Sequence, residues 1–132
     1  MNVVTKVVRV SWRMDRFHAA RLRMLDRGMF KWASFLRTVA RRSIRKRKKP
    51  SAAGSPPSTQ TRRLRNAILF HVYRGEGKAI IGPTANIVGP SGAAHEFGGT
   101  YKGDKFDRRP FMGPALDVTR PQAAGFFAGE FK

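Results

Sequence analysis

Residues 92–99 read Gly-Ala-Ala-His-Glu-Phe-Gly-Gly, and residues 108–117 read Arg-Arg-Pro-Phe-Met-Gly-Pro-Ala-Leu-Asp. In both stretches, glycines, prolines and other small residues surround a few aromatic and aliphatic side chains, and neither stretch holds an obvious reactive cluster. Gly and Pro set the course of the backbone in such segments, while the apolar side chains fill space. The two stretches therefore predict packing and a shaped surface, not a catalytic centre.

These stretches also carry a resemblance to one protein family. The pattern Ala-x-Glu-Phe-Gly at residues 94–98, followed by Arg-Pro-Phe-x-x-Pro-Ala-Leu at 109–116, resembles the neck and tail-completion proteins of long-tailed bacteriophages, often described as minor tail components or virion morphogenesis proteins. Residues 54–68 are similar to that family's Pro-Pro, Thr-Gly-x-Leu-x-x-Ser-Ile entry to its sheet, with Arg62 where glycine is usual and Ala67 where serine is usual. The resemblance covers roughly residues 50–120.

The resemblance implies a structural subunit of a phage neck or tail end, needed for head–tail joining or tail completion. Such a protein would be made in the host cytoplasm and would end in the virion, as a ring of identical copies beside an adaptor, stopper, tail terminator or tube protein. Ring contacts are expected from the 50–60 and 98–108 loops and from residues 111–116. The expected subunit-interface residues are Glu96, Phe97, Arg109, Phe111, Met112 and Leu116. Ring order stays open, as does the choice between tail completion, tail termination and head closure.

The composition is that of a folded chain with one domain, residues 1–132. With 132 residues and a hydrophobic fraction of 41%, the chain is long enough for a core of its own. It has no cysteine, which excludes disulfides, zinc–thiolate sites and thiol nucleophiles. We find no apolar run of about 18 residues that would predict a membrane-spanning helix, and no cleavable signal peptide is evident.

Positive charge is concentrated in the first part of the chain. The formal net charge is +19; residues 1–49 hold 16 Lys or Arg against Asp15 and Asp26, a net of +14, which leaves +5 for residues 50–132. This asymmetry predicts an anionic partner, whether nucleic acid, acidic protein or a membrane surface, and in a phage neck it would be DNA in the lumen or an acidic face of an adjoining ring, not a membrane. The residues expected to contact this partner are Arg41, Arg42, Arg45, Lys46, Arg47, Lys48 and Lys49. We expect substitutions in the 37–49 cation run to leave the fold intact.

The basic half, residues 1–49, reads as a strand and a long helix. Residues 2–10 are β-branched and partly alternating, which predicts a short strand. Ser11 is a candidate cap for a helix whose apolar residues recur at steps of three and four as far as Ile44. Gly28 predicts a kink or a break into two helices. The helix is expected to run through the cation run and to end before Pro50.

A loop at residues 50–60 separates this half from a sheet half, residues 61–132. Alternation in residues 68–73, glycines in 75–77 and an apolar return in 78–82 predict a β-hairpin. We further expect a third strand in 84–89, a helical turn in 91–97, a last strand in 109–112 and a short helix in 123–127. The predicted fold class is α+β: a long helix packed on a small antiparallel sheet, with a short C-terminal helix.

The sequence gives little support for a catalytic site or a metal site. His95 and Glu96 are adjacent, so they point in different directions, and no nucleophile accompanies them. His18, His71 and His95 lack metal-ligand spacing, and Asp104 and Asp107 are too few carboxylates for a cation site. We expect no enzyme activity, cofactor or metal. Glu96 is expected to make a hydrogen bond or an ion pair, with Arg109 as one candidate partner, that fixes its loop.

The alternative function is a basic nucleic-acid-binding protein of ribosomal type, whose helix and tail contact phosphates. The charge supports both functions. No RNA-reading motif with exposed stacking aromatics is identifiable in the second half. The phage hypothesis is therefore preferred.

Overall fold

A computed structural model describes residues 14–131 of the chain. Helix α1, Met14–Ser43, is the longest element. Its buried residues include Ala33, Leu36 and Ala40, which recur at steps of three and four as the predicted apolar stripe requires. The predicted strand at 2–10 and the Ser11 cap lie outside the described residues.

Helix α1 continues through Gly28, so the predicted kink or break is wrong. Gly28 is buried because the ring of Phe127 packs on it: a Cβ built there would lie 2.8 Å from Phe127 Cε1 and 3.0 Å from Cγ. Real carbon atoms do not approach so closely. The glycine therefore serves a close helix-to-helix contact, and the intrahelical hydrogen bonds outweigh its poor helix propensity.

The helix ends at Ser43, earlier than predicted. Residues Arg45–Lys46 form a two-residue strand, β1, which pairs in parallel with β2, Ser58–Thr59. The Arg47 N–H donates to Thr59 O at 3.2 Å and extends this ladder. Like charges three or four residues apart on a helix repel each other, whereas an extended backbone separates them. Within the predicted 50–60 loop, Ser58–Thr59 form the short strand β2.

The predicted hairpin is confirmed. Strands β3, Ile68–Tyr73, and β4, Lys78–Pro83, pair antiparallel from Ile68 opposite Pro83 to Tyr73 opposite Lys78. Gly75 and Gly77 in the turn have φ angles of 76° and 59°, which glycine adopts without strain. Helix α2, Arg63–Ala67, leads into β3, and both strands pack against α1.

Two further strand predictions are wrong. Within 84–89 the chain forms a short helix, α3, Ala85–Val88. The N–H of Thr84, just before this helix, donates to the O of Ala67, the last residue of α2, at 2.9 Å. Residues 109–112 lead into a helix. The helical turn at 91–97 is confirmed as α4, Ser91–Phe97. It precedes an unpredicted hairpin of β5, Gly99–Tyr101, and β6, Asp104–Phe106.

The C-terminal region is helical and covers α1. Helix α5, Met112–Thr119, is followed by a 3-10 turn, Arg120–Gln122, then by α6, Ala123–Ala128, and a second 3-10 turn, Gly129–Phe131. Trp32 Nε1 of α1 donates to the buried Thr119 Oγ1 at 3.3 Å. Lys31 forms an ion pair with Glu130. The short C-terminal helix is thus present as predicted.

The core joins both halves of the sequence. Leu36, Ala40 and Ile44 meet residues from α2, β3 and α5, and the complete buried cluster is Leu36, Ala40, Ile44, Leu64, Ile68, Phe111 and Ala115. The predicted α+β class is confirmed: one long helix, small two-stranded sheets and short C-terminal helices. Among the described helices, none combines the length and apolar character that crossing a bilayer requires.

Candidate functional site

The Glu96 carboxylate at the end of α4 holds the start of α5. Its Oε2 accepts the N–H groups of Phe111 at 2.8 Å and Met112 at 2.9 Å, and its Oε1 accepts the N–H of Gly113 at 2.8 Å. The first N–H groups of a helix have no intrahelical acceptor, and a carboxylate there also favours the helix dipole. Glu96 therefore caps α5 from a separate helix.

Backbone contacts fix the same junction. The Arg109 N–H donates to His95 O at 2.7 Å, and Arg108 Nε donates to Glu96 O at 3.2 Å. Gly98, with a φ of 73°, lets the chain turn away from α4. A Cβ at Gly113 would lie 3.1 Å from Glu96 Oε1, which leaves little room for a larger residue. We name residues 95–98 together with 108–113 the Glu96 junction.

The predicted structural role of Glu96 fits this geometry, but its partner differs from the candidate we named. Arg109 instead donates from Nε to Ser51 O at 2.8 Å, and its NH2 lies 3.7 Å from Asp107 Oδ2. The partners of Glu96 are backbone groups. A sequence pattern of side-chain charges does not reveal such partners.

The predicted interface residues separate into three environments. Phe97 is 77% exposed although it is a large apolar side chain, and Met112 and Leu116 are half-buried. Glu96 and Arg109 are half-buried and bond within the chain. Phe111 is 0% exposed and belongs to the core, so it is wrong as a residue of a subunit contact. Its ring fills the space between α1 and α5.

An apolar groove of about 760 Å³ lies beside Phe97. Helix α1 provides Met29 and Trp32, strand β4 provides Ile81, and Met112 and Leu116 come from α5. Exposed apolar surface of this kind on a small protein commonly marks an interaction site. Sequence reasoning found the α5 residues of this groove but missed those of α1 and β4, because their apolar pattern reads as ordinary core.

Two cations of the run contact the fold: Arg37 lies over the ring of Phe70, 4.9 Å from its centroid, and Arg41 bonds to backbone groups. Arg41 NH2 donates to Asn66 O at 3.2 Å and to Ile68 O at 2.9 Å, and so joins α1 to the start of the hairpin. Burial, followed by the charges of Arg37 and Arg65, lowers the pKa of Arg41. These contacts predict that Arg41, unlike the exposed cations of the run, contributes to the stability of the fold.

The other predicted anion contacts are exposed. All eight Asp and Glu residues of the chain lie within 14–131, and no ion pair of 4.0 Å or less joins any of them to these cations. The exposed cations are Arg42, Arg45, Lys46, Arg47, Lys48 and Lys49, which we name the basic strip. Ser58 Oγ and Gln60 Nε2 hold its backbone by donating to Lys49 O and Lys48 O at 2.8 and 3.1 Å. Sequence reasoning missed both side chains, since the contacts cross a turn.

His95 of the Glu96 junction lines a cleft together with Arg47, Lys48 and Lys49 of the basic strip. Burial, with a smaller contribution from the charge of Arg109, lowers its pKa, so the imidazole is mainly neutral at pH 7. Its ring packs edge-on against Phe106 with a centroid distance of 6.2 Å. In the described part of the chain, no three His, Asp or Glu side chains group as metal ligands would.

Comparison of the chain with protein-family models, with curated proteins and with solved structures finds no match.

Proposed function

We propose that this chain is a structural, non-catalytic subunit of the neck or tail end of a long-tailed bacteriophage, where copies of it form a ring. The observation that carries the proposal is the Glu96 junction. The two stretches that resemble the phage family, residues 94–98 and 109–116, are bonded to each other by three N–H groups on one carboxylate. The resemblance thus rests on one physical unit and not on two unrelated short patterns.

The surface beside the junction supports a subunit contact. The junction is held firmly by hydrogen bonds, yet it carries an apolar ring, Phe97, that is 77% exposed. Next to that ring lies the apolar groove. A closed ring needs a heterologous interface, in which one patch of a subunit meets a different patch on the next. Phe97 and the groove wall are our candidates for one of these patches.

Joining of heads and tails offers a direct test. We expect Phe97→Ser to leave the subunit folded, because the side chain is exposed, and to reduce the yield of joined particles severely. Phe17→Ser is the matched control: Phe17 is 64% exposed, lies near the start of α1 and does not line the groove. Normal joining by the Phe97 variant would contradict the role of this patch.

Two observations address the proposal as a whole. Genes for portal, adaptor and tail-tube proteins beside the gene of this chain would support it, and a particle reconstruction should show the chain as a closed ring. A reconstruction that shows it as isolated copies would refute the ring. A hydrolase or nuclease activity of the pure protein that His95→Ala abolishes would refute the non-catalytic role.

The second candidate is a basic nucleic-acid-binding protein that works outside a virion. The specific observation in its favour is the basic strip, whose cations have no carboxylate partner within residues 14–131. The two candidates differ in the use of Phe97, since binding to phosphates alone gives that ring no role. A Phe97→Ser variant with unchanged function in every assay would favour the second candidate.

A further inference from the structure

A cleft of about 250 Å³ lies between the basic strip and the Glu96 junction. Its lining includes Arg47, Lys48 and Lys49, which we name the basic wall, and a second wall of His95, Phe106 and Arg109. These walls come from parts of the chain about 50 residues apart in sequence, so only the folded protein places them together. Apart from Phe106, every one of these side chains is polar or cationic.

Hydrogen bonds fix the backbone of the basic wall, whereas its charged side chains make no ion pair with a carboxylate of residues 14–131. Arg47 N–H donates to Thr59 O at 3.2 Å, and Ser58 and Gln60 bind the carbonyl groups of Lys49 and Lys48. The side chains of these three cations are exposed and pair with no carboxylate within residues 14–131. A wall of this kind is ready for an anion, since binding needs little further ordering of the backbone.

The spacing of the charges indicates the type of anion. The five consecutive residues 45–49 are all Lys or Arg, and they follow the end of α1, with Arg45–Lys46 in a strand. One strand of DNA carries a phosphate about every 3.4 Å along the helix axis. A continuous row of phosphates can therefore neutralise neighbouring cations of the strip together, and release of its condensed counterions adds to the binding free energy.

We propose that the basic strip and this cleft bind the sugar–phosphate backbone of nucleic acid, without reading its sequence. Ser58 and Gln60 also line the cleft, and both already donate to lysine carbonyls. Contacts from Lys and Arg to phosphates position a duplex but carry no base information. The site stands on its own geometry and does not depend on the ring proposal.

The salt dependence of DNA binding tests the site. The strip variant carries Gln in place of Arg45, Arg47, Lys48 and Lys49. The matched control carries Gln in place of four cations that are also exposed but lie outside the strip, Arg16, Arg21, Arg23 and Arg74. Both variants lose four positive charges. Binding to a short random-sequence DNA duplex is followed by fluorescence anisotropy over a range of salt concentrations.

The slope of log K against log salt is negative. We expect its magnitude to fall by about 3–4 in the strip variant and by less than about 1 in the control. At about 0.1 M salt the strip variant should bind at least about tenfold more weakly than the control. Equal losses in the two variants would overturn the proposal, because binding would then follow net charge alone. Polyglutamate that binds the native protein as tightly as the duplex would overturn it too and would favour an acidic protein partner.

A measurement on the unaltered protein places the ligand in the cleft. The chain has three histidines, of which only His95 lines the cleft, while His18 lies near the start of α1 and His71 on β3. In an NMR titration with a short oligonucleotide, the imidazole signals of His95 should shift and those of His18 and His71 should stay in place. Shifts at all three histidines, or none at His95, would contradict the site.

Discussion

At the scale of single residues, the Glu96 carboxylate is the group that caps α5. Replacing Glu96 by Ala leaves three N–H groups at the start of α5 without their acceptor. Because a hydrogen bond to a charged group is worth more than a neutral one, we expect a loss of about 2–3 kcal/mol in the free energy of unfolding. Urea denaturation measures this loss.

The control for this prediction is Glu76→Ala. Glu76 is exposed in the hairpin turn, and removal of such a carboxylate should change the free energy of unfolding by less than about 0.5 kcal/mol. Glu96→Gln keeps one acceptor oxygen and should fall between the two. Equal stability of the Glu96 and Glu76 variants would show that the cap contributes nothing.

His95 predicts a pH dependence of stability. Burial lowers its pKa in the folded chain, so below about pH 6.5 the unfolded chain binds a proton more readily than the folded one. The stabilisation is fully present above the unfolded pKa and is lost as the pH falls through the folded pKa. The difference in unfolding free energy between native protein and His95→Gln should therefore shrink between about pH 7.5 and pH 5. Parallel pH profiles would contradict the assignment.

At the scale of elements, the contact between α1 and α6 explains why a glycine stands inside a long helix. Gly28→Ala gains about 1 kcal/mol in helix propensity, but its methyl group collides with the ring of Phe127. Overpacking costs about 1–3 kcal/mol, so we expect the substitution to destabilise. In a Phe127→Ala background the same substitution should stabilise by about 0.5–1 kcal/mol.

Thermal unfolding of the two single variants and the double variant completes this cycle. A change of sign between the two backgrounds isolates the coupling between Gly28 and Phe127. If Gly28→Ala has the same effect in both backgrounds, the ring does not account for the glycine.

Arg41 and Arg42 are neighbours in the last turn of α1 but should respond differently to substitution. Arg41→Gln removes two hydrogen bonds from a guanidinium to carbonyl groups of residues 66 and 68, which should cost about 1–2 kcal/mol of stability. Arg42→Gln is the matched control, since Arg42 is exposed and its loss should change stability by less than about 0.5 kcal/mol. Chemical denaturation separates the two. Equal losses of unfolding free energy in the two variants would show that Arg41 is as dispensable for the fold as Arg42.

At the scale of the whole molecule, the formal net charge of +19 opposes compaction. Raising the ionic strength from about 0.01 M to about 0.1 M shortens the Debye length from about 30 Å to about 10 Å. We expect Tm to rise by roughly 4 °C or more, which is the shift that about 1 kcal/mol produces in a domain of this size. Calorimetry at the two ionic strengths measures it. The Arg45, Arg47, Lys48 and Lys49→Gln variant should show a smaller rise, and a Tm that is independent of salt would contradict this explanation.

Several structural features of this protein can be predicted from patterns among residues that are close in sequence. The alternation in 68–73 and the glycines at 75 and 77 specify the β3–β4 hairpin, and the steps of three and four specify the buried face of α1. The excess of cations in residues 1–49 is likewise a property of the sequence alone. Each of these follows from backbone geometry or composition, so the rest of the chain is not needed to see it.

Other features were decided only by the tertiary structure, because the deciding contacts join residues far apart in sequence. The ring of Phe127 packs on Gly28, which lies in a continuous helix and not at a helix break. Residues 45–46 lie outside the helix and pair with Ser58–Thr59 as a strand. Glu96 finds its partners in the N–H groups of 111–113, and Phe111 is buried against α1 instead of facing a neighbour. Local patterns do not contain these distances, since packing at native density selects one partner among many that are chemically equivalent.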